Sequence, residues 1–190
     1  MKVLRNADHK RMPWKNGGGV TVEIAIHPKE ASVDNFDWRI STATVANDGA
    51  FSVFAGIDRT LSVLQGNGIL LDVEGVETTL TRETAPFAFA ADASSGARLI
   101  DGRITDLNVM TRRGRFTHHV ERIAIDDSQI IAPEDSTMLI FCAEGNFDLK
   151  TANGIAQIGP QDCLILSKNE RVSLELIGKG IVYYISIIDV

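Results

Sequence analysis

No stretch of this chain keeps a helical period for long. What recurs instead is a short run of β-branched and aromatic residues, closed each time by Gly, Asn, Asp or Pro. That rhythm is the signature of strands and tight turns, and many of them in one chain predict an all-β sandwich or barrel. Strands are expected near Val20–Ile26, Trp38–Val45, Arg59–Gln65, Ile69–Val73, Glu77–Thr81, Pro86–Phe89, Arg98–Thr105 and Leu107–Thr111. More are expected near Arg122–Ile125, Met138–Ala143, Phe147–Lys150, Ile155–Ile158, Asp162–Leu166, Val172–Ile177 and Val182–Ile188.

An internal echo adds to this. "LSVLQGNGILLDVEG" and "LIFCAEGNFDLKTANG" each read as strand, Gly-containing turn, strand, turn. No Gly/Ser-rich linker separates the halves, so two similar barrel units in one 190-residue chain are expected.

Charge narrows the partners. A net charge of −6 disfavours contact with the nucleic-acid backbone. No run is apolar for the roughly 18 residues a membrane helix needs. The first nineteen residues hold no apolar signal core, so a cytoplasmic location is the expectation. Cys142 and Cys163 both sit in apolar runs and read as buried free thiols.

"WKNGGGVTVEI", residues 14–24, has the look of a phosphate loop, but a phosphate loop leads into a helix. Here Val20, Val22, Ile24 and Ile26 alternate with Thr21, Glu23 and Ala25, which is a strand. The glycines therefore serve positive φ or close backbone approach. The strand's other face carries a carboxylate among small residues, which is costly in an interior unless paired. "FDWRISTATV" repeats the pattern, with Arg39, Ser41, Ala43 and Val45 on one face. Glu23 and Arg39 are thus candidates to pair in a pocket lined by both strands. In "AGIDRTLSVL", Arg59 opens a strand after a Gly56 turn and offers a planar fork to a carboxylate. In "DLNVMTRR", Asn108, Met110 and Arg112 share a face.

The four histidines, His9, His27, His118 and His119, do not form a ligand set, and His118 and His119 point to opposite faces of a strand. No metal site and no cofactor are expected, and no nucleophile elbow is present.

"PWKNGGGVTVEI", "FDWRISTATV", "DGAFSVFAGIDRTLSVLQGNG" and "DLNVMTRR", in this order, resemble the HutD/Ves family. The resemblance implies a bicupin over residues 1–190, with a first barrel and N-terminal strands over about 1–115 and a second barrel over 116–190. It implies no catalytic metal and a link to histidine utilisation, with a small anionic metabolite such as urocanate or a formylglutamate-like acid as ligand.

On that resemblance Arg59 would clamp the carboxylate, and Asn16, Ser41 and Asn108 would add neutral hydrogen bonds. Trp14 and Met110 would form apolar walls, and Glu23 would accept an imidazole or ammonium N–H. Gly17, Gly18, Thr21, Arg39 and Arg112 complete the expected ligand-binding set. No catalytic residue is assigned. The alternative class is a metal-free cupin enzyme with Glu23 as general base. A third is an interaction subunit in which the glycine loop is only structural. Nucleic acid and membrane are not expected partners, and a homodimer is left open.

Overall fold

Strands form where β-branched residues alternate with small or polar ones, and they stop where glycine or Asx turns break the ladder. The protein is described from a computed structural model, covering residues 1–14, 18–152, 154–170 and 172–190. In chain order the first strands are β1 (Lys2–Leu4), β2 (Lys10–Pro13), β3 (Gly19–His27), β4 (Trp38–Val45), β5 (Gly49–Ala50) and β6 (Ile57–Gln65). There follow β7 (Ile69–Val73), β8 (Val76–Leu80), β9 (Phe87–Ala90), β10 (Ser95–Leu99), β11 (Ile104–Arg112) and β12 (Phe116–Ile125). The last are β13 (Ser128–Ile131), β14 (Thr137–Thr151), β15 (Gly154–Ile158), β16 (Cys163–Leu166) and β17 (Leu174–Asp189). Among the described residues a single 3-10 turn, Asn6–Asp8, is the one helical element, and no helix is long and apolar enough to cross a membrane.

The chain divides into two units, one of residues 10–117 and one of residues 1–9 with 118–189. The first nine residues thus belong with the C-terminal unit, where β1 pairs antiparallel with β16.

The 10–117 unit holds a six-stranded sheet, β2-β3-β4-β11-β6-β9, and a four-stranded sheet, β5-β10-β7-β8. Val45, Leu61, Val63 and Ile104 of the larger sheet share one apolar cluster with Ile69, Leu71, Leu80 and Ala97 of the smaller. Strand β4 lies between β3 and β11 and is buried on both faces, so it is not the edge strand that its polar residues alone would permit. Its polar face must then be satisfied inside the unit.

The other unit carries a seven-stranded sheet, with β1-β16-β14-β17-β12 in order, β15 added on β14 and β13 on β17. Its interior is filled by apolar side chains such as Ile140, Phe147, Leu149, Leu164, Leu176 and Val182. Cys142 and Cys163 are free and fully buried.

Several strand limits differ from those expected. Met138–Ala143 and Phe147–Lys150 are one strand, β14, and Val172–Ile177 and Val182–Ile188 merge into β17. The glycines between them do not turn the chain. Gly145 sits at φ +90° opposite Gly180, and Phe147 lies opposite Gly178. A Cβ at Gly145 would collide with the Lys179 carbonyl oxygen, so these glycines let two long bent strands stay paired. Conversely, the run expected at Arg98–Thr105 is split between β10 and β11, by a turn with Gly102 at φ +67°.

Candidate functional site

A cavity of about 500 Å³ lies in the 10–117 unit. Its floor is the face of β4 carrying Arg39, Ser41, Ala43 and Val45, next to Asp106, Asn108 and Met110 of β11 and Arg59 of β6. Alternation along antiparallel neighbours puts these side chains together. Ser41 opposes Asn108, Arg39 opposes Met110, and Met110 in turn opposes Arg59. Trp14, Gly18 and Thr21 line one side, and residues 47–52 with Phe54 form the rim.

Arg59 is 8% exposed. Its Nε donates to Asn108 Oδ1 at 2.8 Å, and its Nη2 donates to the same oxygen. Asn108 Nδ2 donates to Asp106 Oδ1 at 2.6 Å, and that oxygen also accepts the Ala43 N–H at 3.2 Å. A guanidinium, an amide and a carboxylate thus form a buried chain. Asn108 has one amide orientation that suits both neighbours, because arginine only donates and an ionised carboxylate only accepts. The guanidinium carbon lies 4.6 Å from the Phe51 ring centroid and 5.5 Å from that of Phe89, both within cation–π range.

Burial sets the electrostatics. Asp106 is 1% exposed, and loss of water pushes its carboxyl up to about 6, against the pull of Arg59 and of the Asn108 and Ala43 bonds. Burial also lowers the Arg59 pKa, with Asp106 opposing and Arg39 adding to the shift. An arginine so placed stays charged.

Arg39 Nε donates to Glu23 Oε2 at 2.7 Å, which is the pairing the two strand faces predict. Glu23 opposes Ser41, two residues along β4 from Arg39, so this is a diagonal cross-strand pair. Its carboxylate is engaged there and is not part of the cavity lining, so the expected acceptor for a ligand N–H lies behind an arginine.

Trp14 Nε1 donates to Thr21 Oγ1 at 2.8 Å and Trp14 N to Gly19 O at 2.9 Å, which folds the indole over the start of β3. Gly19 is the glycine that needs close approach: a Cβ there would run into the Thr44 carbonyl oxygen and come within 3.0 Å of the Trp14 ring. Asn16 and Gly17 lie outside the described residues.

Arg112 does not line the cavity. At the last position of β11 its Nε and Nη2 donate to the Phe36 carbonyl at 3.0 and 2.8 Å. Alternation placed it on the right face, but a strand end is free to follow a backbone acceptor elsewhere.

Asp106 was not among the expected residues, although it shares the face of Asn108 and Met110. Its place two residues before Asn108 is the period-2 signal that marks it. Phe51 and Phe89 carry no sequence signal for their place beside Arg59, since tertiary packing alone brings them there. Among the described residues no three His, Cys, Asp or Glu side chains come together as a metal set.

A two-sheet β unit with a polar cavity on its larger sheet is the kind of architecture found among cupins. The whole chain aligns accordingly with a cupin 2 conserved barrel domain protein from Leptotrichia buccalis, at TM-score 0.57 and 10% identity over 98% of this chain and 100% of that one, a likeness of fold alone. The chain belongs to the HutD family, whose model matches residues 6–184.

An uncharacterised 21.2 kDa protein from the hutC 3′ region of Pseudomonas putida is 35% identical over 181 residues, 94% of each chain. The structure of HutD from Pseudomonas fluorescens SBW25, in a formate condition, superposes at TM-score 0.84 with 32% identity, over 100% of this chain and 98% of that one. A conserved protein of unknown function from Pseudomonas aeruginosa PAO1 superposes at TM-score 0.91 with 31% identity, over 98% and 97%. Protein Ves of Citrobacter koseri is 38% identical over 112 residues, 57% of this chain and 58% of its own length.

Proposed function

We propose that the cavity of the 10–117 unit receives a small carboxylate metabolite, urocanate or a formylglutamate-like acid, and that the protein modulates histidine utilisation in the cytoplasm through that binding, without a metal. We read the two units as the two barrels of a bicupin, with one barrel hollow and polar and the other filled. The observation that carries the ligand reading is the state of Arg59. It is nearly buried and lines a cavity, yet its hydrogen bonds go to a neutral amide. Nε and Nη2 are engaged by Asn108, which leaves Nη1 uncommitted among the described residues. A buried cation whose direct partner is an amide, with Asp106 reached only through it, can take a direct charge-assisted bond from an anion that enters. The location of one relative in a hutC 3′ region supports the pathway.

Catalysis with Glu23 as general base has less support, because Arg39 already engages that carboxylate. A catalyst of urocanate would also bleach the ligand's ultraviolet band over hours, while a binder leaves it unchanged.

The test is calorimetric titration of urocanate and N-formylglutamate against wild type, Arg59→Ala and Arg59→Lys, with melting curves alongside. Charge-assisted bonds contribute roughly 1.5–3 kcal/mol, so Arg59→Ala is expected to weaken binding about ten- to a hundredfold. Arg59→Lys restores a charge but not the fork, and is expected to recover only part. Wild-type affinity in a folded Arg59→Ala protein would remove Arg59 from the site.

A further inference from the structure

We propose that Asp106 is a specificity-determining residue that takes up a proton when the cavity takes its ligand's carboxylate, so that anion and proton enter together. This rests on the carboxylate reading of the cavity and adds to it the way in which the charge is balanced.

The argument begins with geometry. Asp106 and Arg59 both line the cavity and both are almost fully buried, but they do not touch as an ion pair. Asn108 stands between them, accepting from one and donating to the other. Within this group one cation therefore balances one anion through an amide. Among the described residues, Arg39 and Asp48 are the other charged side chains that line the cavity. Arg39 from β4 is matched by Glu23 from β3, and Asp48 sits at the exposed rim, with Oδ1 accepting the Leu99 N–H. Among the described residues no histidine lines the cavity.

A carboxylate arriving at Arg59 makes two anions for one cation in a group whose protein members are nearly fully buried. Two carboxylates near one another in such surroundings do not both stay ionised, and the one with the weaker stabilisation takes a proton. The ligand carboxylate gains the guanidinium N–H groups that Asn108 leaves free, whereas Asp106 keeps only the bonds it already has, from the Asn108 amide, the Ala43 N–H and its own backbone N–H. Asp106 is thus the group that protonates, with the proton drawn from solvent. Burial already holds its carboxyl at about 6, so only a modest further rise is needed near neutral pH.

Two consequences follow for recognition. A carboxylate is favoured over a neutral isostere of the same shape, which offers the guanidinium no opposite charge and takes up no proton. Affinity for the carboxylate also rises as pH falls, by up to about tenfold per pH unit while one proton is taken up.

The experiment is calorimetric titration with N-formylglutamate, whose carboxylates stay ionised over the range used, between pH 6 and 8. At pH 7.5 it is run in phosphate and in Tris, whose ionisation enthalpies differ. Uptake of between half a proton and one proton per ligand in the wild-type protein, with tighter binding at pH 6.5 than at 7.5, is the expected result. Asp106→Asn is expected to bind with buffer-independent heat and with no gain at lower pH. Binding without proton uptake by the wild type overturns this proposal and leaves the carboxylate reading standing. Absence of binding by N-formylglutamate, urocanate and acetate alike overturns both. The wild-type measurement alone decides, whether or not the variant folds.

Discussion

Arg39 reaches diagonally across the β3–β4 ladder and places its Nε 2.7 Å from Glu23 Oε2, with side-chain exposures of 6% and 13%. The pair sits where the register of β3 shifts, between Glu23 and Ala25, so a bulge sets the carboxylate against β4 at the right position.

Removal of one partner leaves a buried charge unmatched, at a cost of about 3–5 kcal/mol. Glu23→Ala is therefore expected to lower unfolding free energy by several kcal/mol in urea titrations. The double variant Glu23→Leu with Arg39→Met is expected to lose much less. A loss under about 1 kcal/mol in the single variant would place this pair with ordinary surface bridges.

Asp106 contributes a pH dependence of definite sign. Its folded carboxyl is raised from 3.8 to about 6 by burial, so the folded state holds the proton more tightly than the unfolded chain. Its contribution to stability is full below pH 3.8 and is lost as pH rises through about 6. Relative to Asp106→Asn, wild type is expected to lose up to roughly 3 kcal/mol across that window and to run parallel above pH 7. Urea unfolding of both proteins at pH 4.5, 6 and 8 reads the difference, and parallel curves throughout would mean that Asp106 is not desolvated.

Gly19 tolerates no side chain where it stands, because its Cβ position is taken by the Thr44 carbonyl oxygen, with the Trp14 ring 3.0 Å away. Gly19→Val is expected to cost about 1–3 kcal/mol by overpacking. Gly49, whose Cβ would meet nothing within 4 Å and whose φ is not positive, is expected to accept alanine within about 0.5 kcal/mol. Thermal melts of the two variants compare them directly, and equal Tm values would show that the β3–β4 contact yields.

Cys142 and Cys163 are expected to resist a thiol reagent in the folded protein and to react in urea. Both are fully buried, and burial pushes Cys142 up to about 12 and Cys163 higher still, far from the thiolate form that reacts. Fast labelling of either native thiol would show that the C-terminal unit opens readily.

The parts of the site that follow strand alternation were legible in the sequence. Glu23, Arg39, Ser41, Asn108 and Met110 could be placed on their faces because side chains on strands repeat every second residue, and β4, β6 and β11 lie side by side. Asp106 carries the same signal, yet an acidic residue beside a turn reads as solvated until the strand is known to begin at Ile104. Arg112 shows the limit in the other direction, since the Phe36 carbonyl that holds it comes from a distant loop. The aromatic bed of Arg59 is beyond periodicity, because Phe51 and Phe89 reach it from a rim segment and a separate strand. In the fold, the turn that Gly145 suggests is absent: Gly145, with Gly178 and Gly180 on the facing strand, keeps β14 and β17 close and continuous, a distinction that depends on that strand.

The short strand β5 hangs from β10 by two residue pairs, Ala50 with Gly96 and Gly49 with Ala97, and the Phe51 N–H adds one bond to the Ser95 carbonyl. The floor strands, by contrast, are laddered on both sides along most of their length. With the Leu99 N–H to Asp48 Oδ1 bond as a further tie, this wall is expected to open at lower cost than the floor beneath it. Under the proposed ligand reading, escape from the cavity would run at the pace of residues 47–52, so residence time would be governed by a different stretch of chain from the one that chooses the occupant.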